Sequence, residues 1–158
     1  MNPGGAIEGI AIAKAMRENL WLYPAVEIVH IVGFVMLVGS VVMFDLRVLG
    51  LSRRISVRAL ARHLLPWGLA ALAIIVPTGL MMFSAHANDF ISNRAFQVKM
   101  GLLLAAGINA AVFHTGPYQS VAQWDTDAAA PGGARVSVAL SIAIWIGIIA
   151  CGRLLAYL

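Results

Sequence analysis

Residues 20–44 read LWLYPAVEIVHIVGFVMLVGSVVMF, an apolar stretch broken by one carboxylate, Glu27, and one imidazole, His30. A run of this length is what a helix needs to cross the hydrocarbon core of a bilayer, and a small water-soluble globule has nowhere to bury it. Three more runs of membrane length follow, at about residues 64–85, 95–114 and 136–157. None alternates polar and apolar residues as barrel strands do, so each is expected to satisfy its own backbone as a helix. Composition agrees. Of 158 residues 61% are hydrophobic and 11% charged, and the mean hydropathy is +0.87, whereas a soluble domain charges about a quarter of its residues. The expected fold is an all-α integral membrane four-helix bundle with no room for an extramembrane domain.

Residues 1–19 mix apolar Ile7, Ile10 and Met16 with Lys14 and Arg17, a pattern that predicts a short N-terminal helix lying in the interface. A cleavable signal would carry its cations ahead of a short apolar core and a small-residue cleavage site, and this segment lacks that order. The connection DLRVLGLSRRISVRALARH holds Arg47, Arg53, Arg54, Arg58 and Arg62 against Asp45 alone. The positive-inside tendency places it in the cytoplasm, which puts both termini on the periplasmic side of a bacterial inner membrane. The net charge of +4 is thereby assigned to a membrane surface rather than to nucleic acid. The connection TGPYQSVAQWDTDAAAPGGAR is bounded by Gly-Pro and Pro-Gly-Gly and predicts an irregular loop with Trp124 at the interface. Small residues four apart, Gly101 with Ala105, Ala106 with Ala110 and Gly147 with Cys151, suit close helix packing. The single cysteine, Cys151, reads as packing.

Ionisable groups within the spans need partners, because an unpaired charge in hydrocarbon costs several kcal/mol. Glu27, His30, Lys99 and Arg153 are expected in the outer leaflet, either as a buried polar network or as a site for an anionic group such as a haem propionate, a quinone or a lipid head group. Glu27 and His30 are three apart and share a helix face, but one such pair without further acids falls short of a di-iron centre. The histidines His30, His63, His86 and His114 lie on three spans, which suggests haem b between helices. Axial imidazoles must share a depth across the iron, and on that criterion His63 matches His114 while His30 matches His86 poorly. Met81, Met82 and His86 form a thioether and imidazole set of the kind suited to copper(I), though adjacent methionines point apart on a helix and packing explains them better. Phosphate loops, nucleophile elbows, zinc signatures and dinucleotide fingerprints are absent.

The motifs WLYPAVEIVHIVGF, DLRVLGL, the Phe96-Gln97-Val98-Lys99 start of the third span and the terminal GRLLAYL resemble a family of small four-helix bacterial membrane proteins of unknown function. More distantly, the chain is similar to copper-resistance D and HemJ-type membrane proteins in having a histidine in an early span, here His30, and a lysine in a later span followed by a histidine, here Lys99 and His114. That resemblance implies a haem b-binding bundle, with protoporphyrinogen oxidation or copper uptake as the activities of those families. Three readings stand open on the residues. One is a haem b bundle in membrane electron transfer, its cofactor held by His30, His63, His86, His114, Lys99 and Arg153, with a quinone or a redox protein as partner. Another is a non-catalytic subunit or scaffold in which Glu27, His30, Lys99 and Arg153 hold helices together or contact a partner, and the third is copper or small-solute passage, which would require a homo-oligomer. No residue identifies a reaction.

Overall fold

The computed structural model describes residues 3–155 and Tyr157. Two short helices, α1 (Pro3–Glu8) and α2 (Ala11–Glu18), precede the four long ones. These are α3 (Leu22–Leu49), α4 (Val57–Ala85), α6 (Arg94–Thr115) and α7 (Gly132–Leu154), each long and apolar enough to cross a membrane. A short α5 (Ala87–Ser92) joins α4 to α6, and a 3-10 helix over Pro117–Gln123 follows α6. The fold is all-helical among the described residues, and the chain is a membrane protein. Large apolar side chains face outward along all four spans, with Val35 64%, Leu80 62%, Leu104 67% and Ile146 62% exposed. Such a surface is stable only against lipid or another membrane protein.

The spans run farther than their apolar cores suggest. Helix α3 continues past Phe44 to Leu49, α4 begins at Val57 rather than near residue 64, and α7 begins at Gly132. Local caps account for the first two. Gly50 takes a left-handed φ of +118°, which only glycine adopts without strain, and lets its own N–H reach the Arg47 carbonyl while the Leu51 N–H reaches that of Leu46. Ser56 caps α4 by accepting from the Ala59 N–H, as Asn93 caps α6 through Ala95 and Phe96. At the other end of α7, Ala156 and Leu158 of the terminal motif lie outside the described residues, as do Met1 and Asn2.

Helix α3 packs on α4 and on α7, and α7 packs on α6, while α4 and α6 do not pack along their lengths. The bundle is therefore opened along one seam. Its centre is built by Leu37, Ala71, Ile144, Trp145 and Ile148 with Phe34, Ile75 and Leu102 around them. Of the small residues, Gly147 earns its place, since a Cβ there would stand 3.0 Å from a Leu102 methyl, whereas a Cβ on Gly101 would meet nothing within 4 Å. Cys151 is buried, and Met81 and Met82 pack against Met16, Val26 and Ala85.

Each end of the bundle is closed by its loops. At the terminal face, Arg17 donates to the Ala85 carbonyl at 2.9 Å and the Glu8 carboxylate accepts from the Asn88 N–H at 2.9 Å, so α1 and α2 dock on the junction of α4 and α5. At the arginine-rich face, Arg47 is 4% exposed and donates to the carbonyls of Ile55, Arg53 and Asp125, the last two at 2.9 Å. The Asp125 carboxylate accepts from the Arg58 N–H at 2.8 Å and from the Ser56 hydroxyl. Arg47 thus stitches the loop after α3 to the loop before α7. Trp124, expected at the interface, is instead 4% exposed inside a cluster of Val48, Val57, Phe113, Val121, Ala134 and Val138, because this stitch folds its loop back over the helix ends. Much of the segment expected to be irregular is the 3-10 helix.

Arg47→Ala strips donors from three carbonyls at once and is expected to lower stability by about 3 kcal/mol, with Arg47→Lys intermediate because an ammonium cannot span all three. Detergent-based thermal unfolding checks the ranking. For Asp125, burial acts to raise the carboxyl, but the hydrogen bonds from Arg58 and Ser56 and the charges of Arg58 and Arg47 outweigh it and hold it below the ordinary carboxylate range. Its contribution is accordingly present above the unfolded value and lost as pH falls through the lower folded one. Asp125→Asn should flatten the loss of thermal stability in that acid range, measured by unfolding midpoints across pH.

Candidate functional site

Of the four histidines, only His30 lies within the bundle. It stands about two turns into α3, half-buried against α4, and its Nδ1 is 2.9 Å from the Thr78 hydroxyl oxygen. That hydroxyl also lies 2.7 Å from the Ile74 carbonyl, so it can give its proton there and offer a lone pair to an Nδ1–H of His30. Gly79 makes the fit, since a Cβ there would stand 3.1 Å from the His30 Cε1. Pro77, within α4 one residue before Thr78, removes a backbone donor at the same level.

Lys99 enters from the other side of the seam. It sits near the start of α6, half-buried, with its ammonium 3.9 Å from where a Cβ on Gly152 of α7 would lie. Aromatic layers bracket this level. Toward the terminal face Phe83, Phe90 and Phe96 stack at 5.3–6.3 Å between centroids and bridge α4 to α6. One turn toward the arginine-rich face, Phe34 meets the edge of Trp145 at 6.1 Å. His30 of α3 and Lys99 of α6, both half-buried, therefore stand at a level bounded by two aromatic layers.

The other expected ligands are elsewhere. His86 is at the end of α4, exposed, edge-on to Tyr23 at 5.9 Å and 3.8 Å from the Asp89 carboxylate. His114 is exposed at the end of α6, its Nδ1 2.8 Å from the Ala110 carbonyl and its ring against Tyr118 at 5.3 Å. His63 is exposed on α4. Although His63 and His114 belong to the same end of the bundle, they sit on the two helices that do not pack, and no hydrogen bond or ring contact joins them. Nor do Glu27, His30, Lys99 and Arg153 close into one buried network. Glu27 is exposed without an ion-pair partner among the described residues, and Arg153 is exposed, donating to the Tyr157 hydroxyl and lying 4.9 Å from the centre of its ring. The reason is rotational: residues at one depth on different helices meet only if they also face inward. Among the described residues no group of three or more His, Cys, Asp or Glu side chains could hold a metal ion.

Asp45 is a polar group whose environment was not foreseen. It is 4% exposed on α3 with its Oδ2 unpartnered and the Ser141 hydroxyl of α7 as its one side-chain partner. Nearby on α7, Ser137 exchanges hydrogen bonds with Asn109 of α6 at 3.0 Å. Its position at the end of the first apolar run marked Asp45 as a boundary residue, but which way it faces depends on helix rotation.

A profile of a family of unknown function, DUF6644, matches residues 22–158. The chain belongs to this family. DUF6644 thus covers all four spans, the seam and both halves of the His30–Lys99 site, and leaves outside it the segment of α1 and α2. No curated protein and no solved structure matches the chain.

Thr78→Val keeps the shape of the α4 surface but removes the hydroxyl partner of the half-buried His30 Nδ1. It should cost about 1–3 kcal/mol, whereas Thr115→Val, which removes an exposed hydroxyl bonded to the Ala111 carbonyl, should be close to neutral. Thermal unfolding of the two variants in the same detergent checks the difference.

Proposed function

We propose that this DUF6644 protein binds a flat, anionic prosthetic group, haem b, at the His30–Lys99 site and takes part in membrane electron transfer. The observation that supports this reading is the half-buried His30 imidazole with its Nδ1 2.9 Å from the Thr78 hydroxyl, an arrangement that would leave Nε2 for the group. Metal-ligating histidines are held in this way, the second nitrogen donating to a neighbour that fixes ring and tautomer. Lys99 supplies the countercharge for a carboxylate of the group, and the two aromatic layers supply apolar walls. Such a group would bring one-electron chemistry to the membrane, while this chain would orient it and tune its electrostatics. The donor set fits one protein imidazole per group. It does not fit two from one chain, because His63, His86 and His114 are exposed at helix ends.

The arginine-rich face belongs in this reading to the cytoplasm of a bacterial inner membrane, with the termini periplasmic, so the His30 site lies in the outer half of the bilayer within reach of a quinone or a periplasmic redox protein. A second reading is a non-catalytic membrane subunit, favoured by Glu27. An exposed carboxylate within a span is tolerated against a partner helix more readily than against lipid.

The test is the oxidised and dithionite-reduced absorption spectrum of protein purified from cells supplied with haem precursor. A haem spectrum that His30→Ala abolishes, and that His63→Ala, His86→Ala and His114→Ala leave intact, is the expected outcome. A featureless spectrum with haem supply verified, or a spectrum untouched by His30→Ala, contradicts the proposal; the featureless result favours the subunit reading.

A further inference from the structure

A second polar feature lies on the opposite face, away from His30. An open cavity of about 460 Å³ is lined by Arg58 and Arg62 of α4 and by Tyr118, Gln119, Val121 and Ala122 of the 3-10 helix. The two arginines are four apart, so their guanidiniums leave the same side of α4 one turn apart. The opposite wall is rigid. Tyr118 is held against Phe44 and Phe113 at 6.5 and 5.7 Å between centroids, and Trp124 donates to Ser120 at 3.1 Å within the same turn.

The charge in this cavity is largely uncompensated. Asp125 takes the backbone N–H of Arg58 and feels its charge, but its carboxylate is already shared with Ser56, and Arg62 has no hydrogen-bond or ion-pair partner among the described residues. Two guanidiniums a turn apart offer paired donors of the geometry that phosphate accepts bidentately, and the Gln119 amide and Tyr118 hydroxyl add neutral donors at the rim. What distinguishes this cavity from a site for a free anion is its setting. The turns of α4 that follow expose Leu65 (56%) and Trp67 (53%), the start of the apolar belt. A ligand with a phosphate at one end and hydrocarbon at the other would place both parts at once.

We propose that the cavity binds the head group of an anionic phospholipid, its phosphate between Arg58 and Arg62 and its acyl chains along the outer surface of α4. Clustered cations beside a span attract anionic lipids electrostatically, and a shaped cavity between helix and loop converts that attraction into a site. The lipid would brace α4 against the 3-10 helix, which the Arg47 stitch already holds close.

Native mass spectrometry of the detergent-solubilised protein tests this directly, with cardiolipin, phosphatidylglycerol and phosphatidylcholine offered at equal concentration and inorganic phosphate in a separate arm. The expected result is retention of the two anionic lipids over phosphatidylcholine. Their binding should fall about tenfold in Arg58→Ala/Arg62→Ala, the change expected when a charge-assisted contact to phosphate is lost, and remain unchanged in Arg54→Ala, which removes an exposed arginine of the same face outside the cavity. Arg62→Glu, at a side chain with no internal bonds, repeats the loss if the double variant folds poorly. Equal retention of phosphatidylcholine, or anionic-lipid binding undiminished in Arg62→Glu, overturns the proposal. Displacement of the lipids by inorganic phosphate at comparable concentration would assign the cavity to a free anion and overturn it as well.

Discussion

Arg47 is the group on which the arrangement of the helices depends. A guanidinium 4% exposed at the end of a membrane span is tolerable only if its donors are met, and here three carbonyls from two separate loops meet them. That satisfaction pins the turn after α3 to the segment before α7, and the Asp125 carboxylate then caps the start of α4. Three of the four spans are therefore oriented from one cluster. The opposite end has its own tie in Arg17 and Glu8, which fasten α1 and α2 over the α4–α5 junction. With both ends closed in this way, the seam between α4 and α6 can stay open without the bundle falling apart.

The open seam gives the His30–Lys99 pair its meaning. Were α4 and α6 packed along their lengths, the two groups would face a filled core. Instead they stand beside that seam, at a level bounded by the Phe83–Phe90–Phe96 stack and the Phe34–Trp145 pair. The Thr78 contact adds direction, because a hydroxyl that gives its proton to Ile74 would hold the imidazole hydrogen on Nδ1 and leave Nε2 to a ligand. The polar row of Asp45, Ser141, Ser137 and Asn109 lies in the other half of the bundle and joins α3, α7 and α6. Hydrogen bonding of this kind adds specificity to helix contacts that apolar packing alone would leave free to rotate.

The sequence makes the class and the number of spans legible because hydropathy reports directly on what lipid demands. His30 and Lys99 were also legible, as ionisable groups that hydrocarbon does not accept unless they serve a purpose. What could not be read was azimuth. Glu27 shares the first apolar run with His30 yet faces outward, and Arg153 at a depth similar to that of Lys99 turns to Tyr157. Depth follows from counting residues, but rotation is set by contacts such as Gly79 against His30 and Gly147 against Leu102, which no periodicity in near-uniformly apolar helices reveals. The histidine pair matched by depth, His63 and His114, was separated for a related reason, since their helices follow one another without packing along their lengths. The Arg47 stitch escaped notice because its acceptors are backbone carbonyls, which carry no side-chain signature.

In the proposed reading His30 presents its Nε2 to a ligand inside the bundle. Nitrogen-15 NMR of histidine-labelled protein in bilayers tests it, with each resonance assigned by single substitution. The account predicts that His30 is the Nδ1–H tautomer and that haemin selectively broadens its Nε2 signal while those of His63, His86 and His114 persist. A His30 protonated on Nε2, or haemin that leaves His30 untouched and perturbs the exposed histidines, would contradict it.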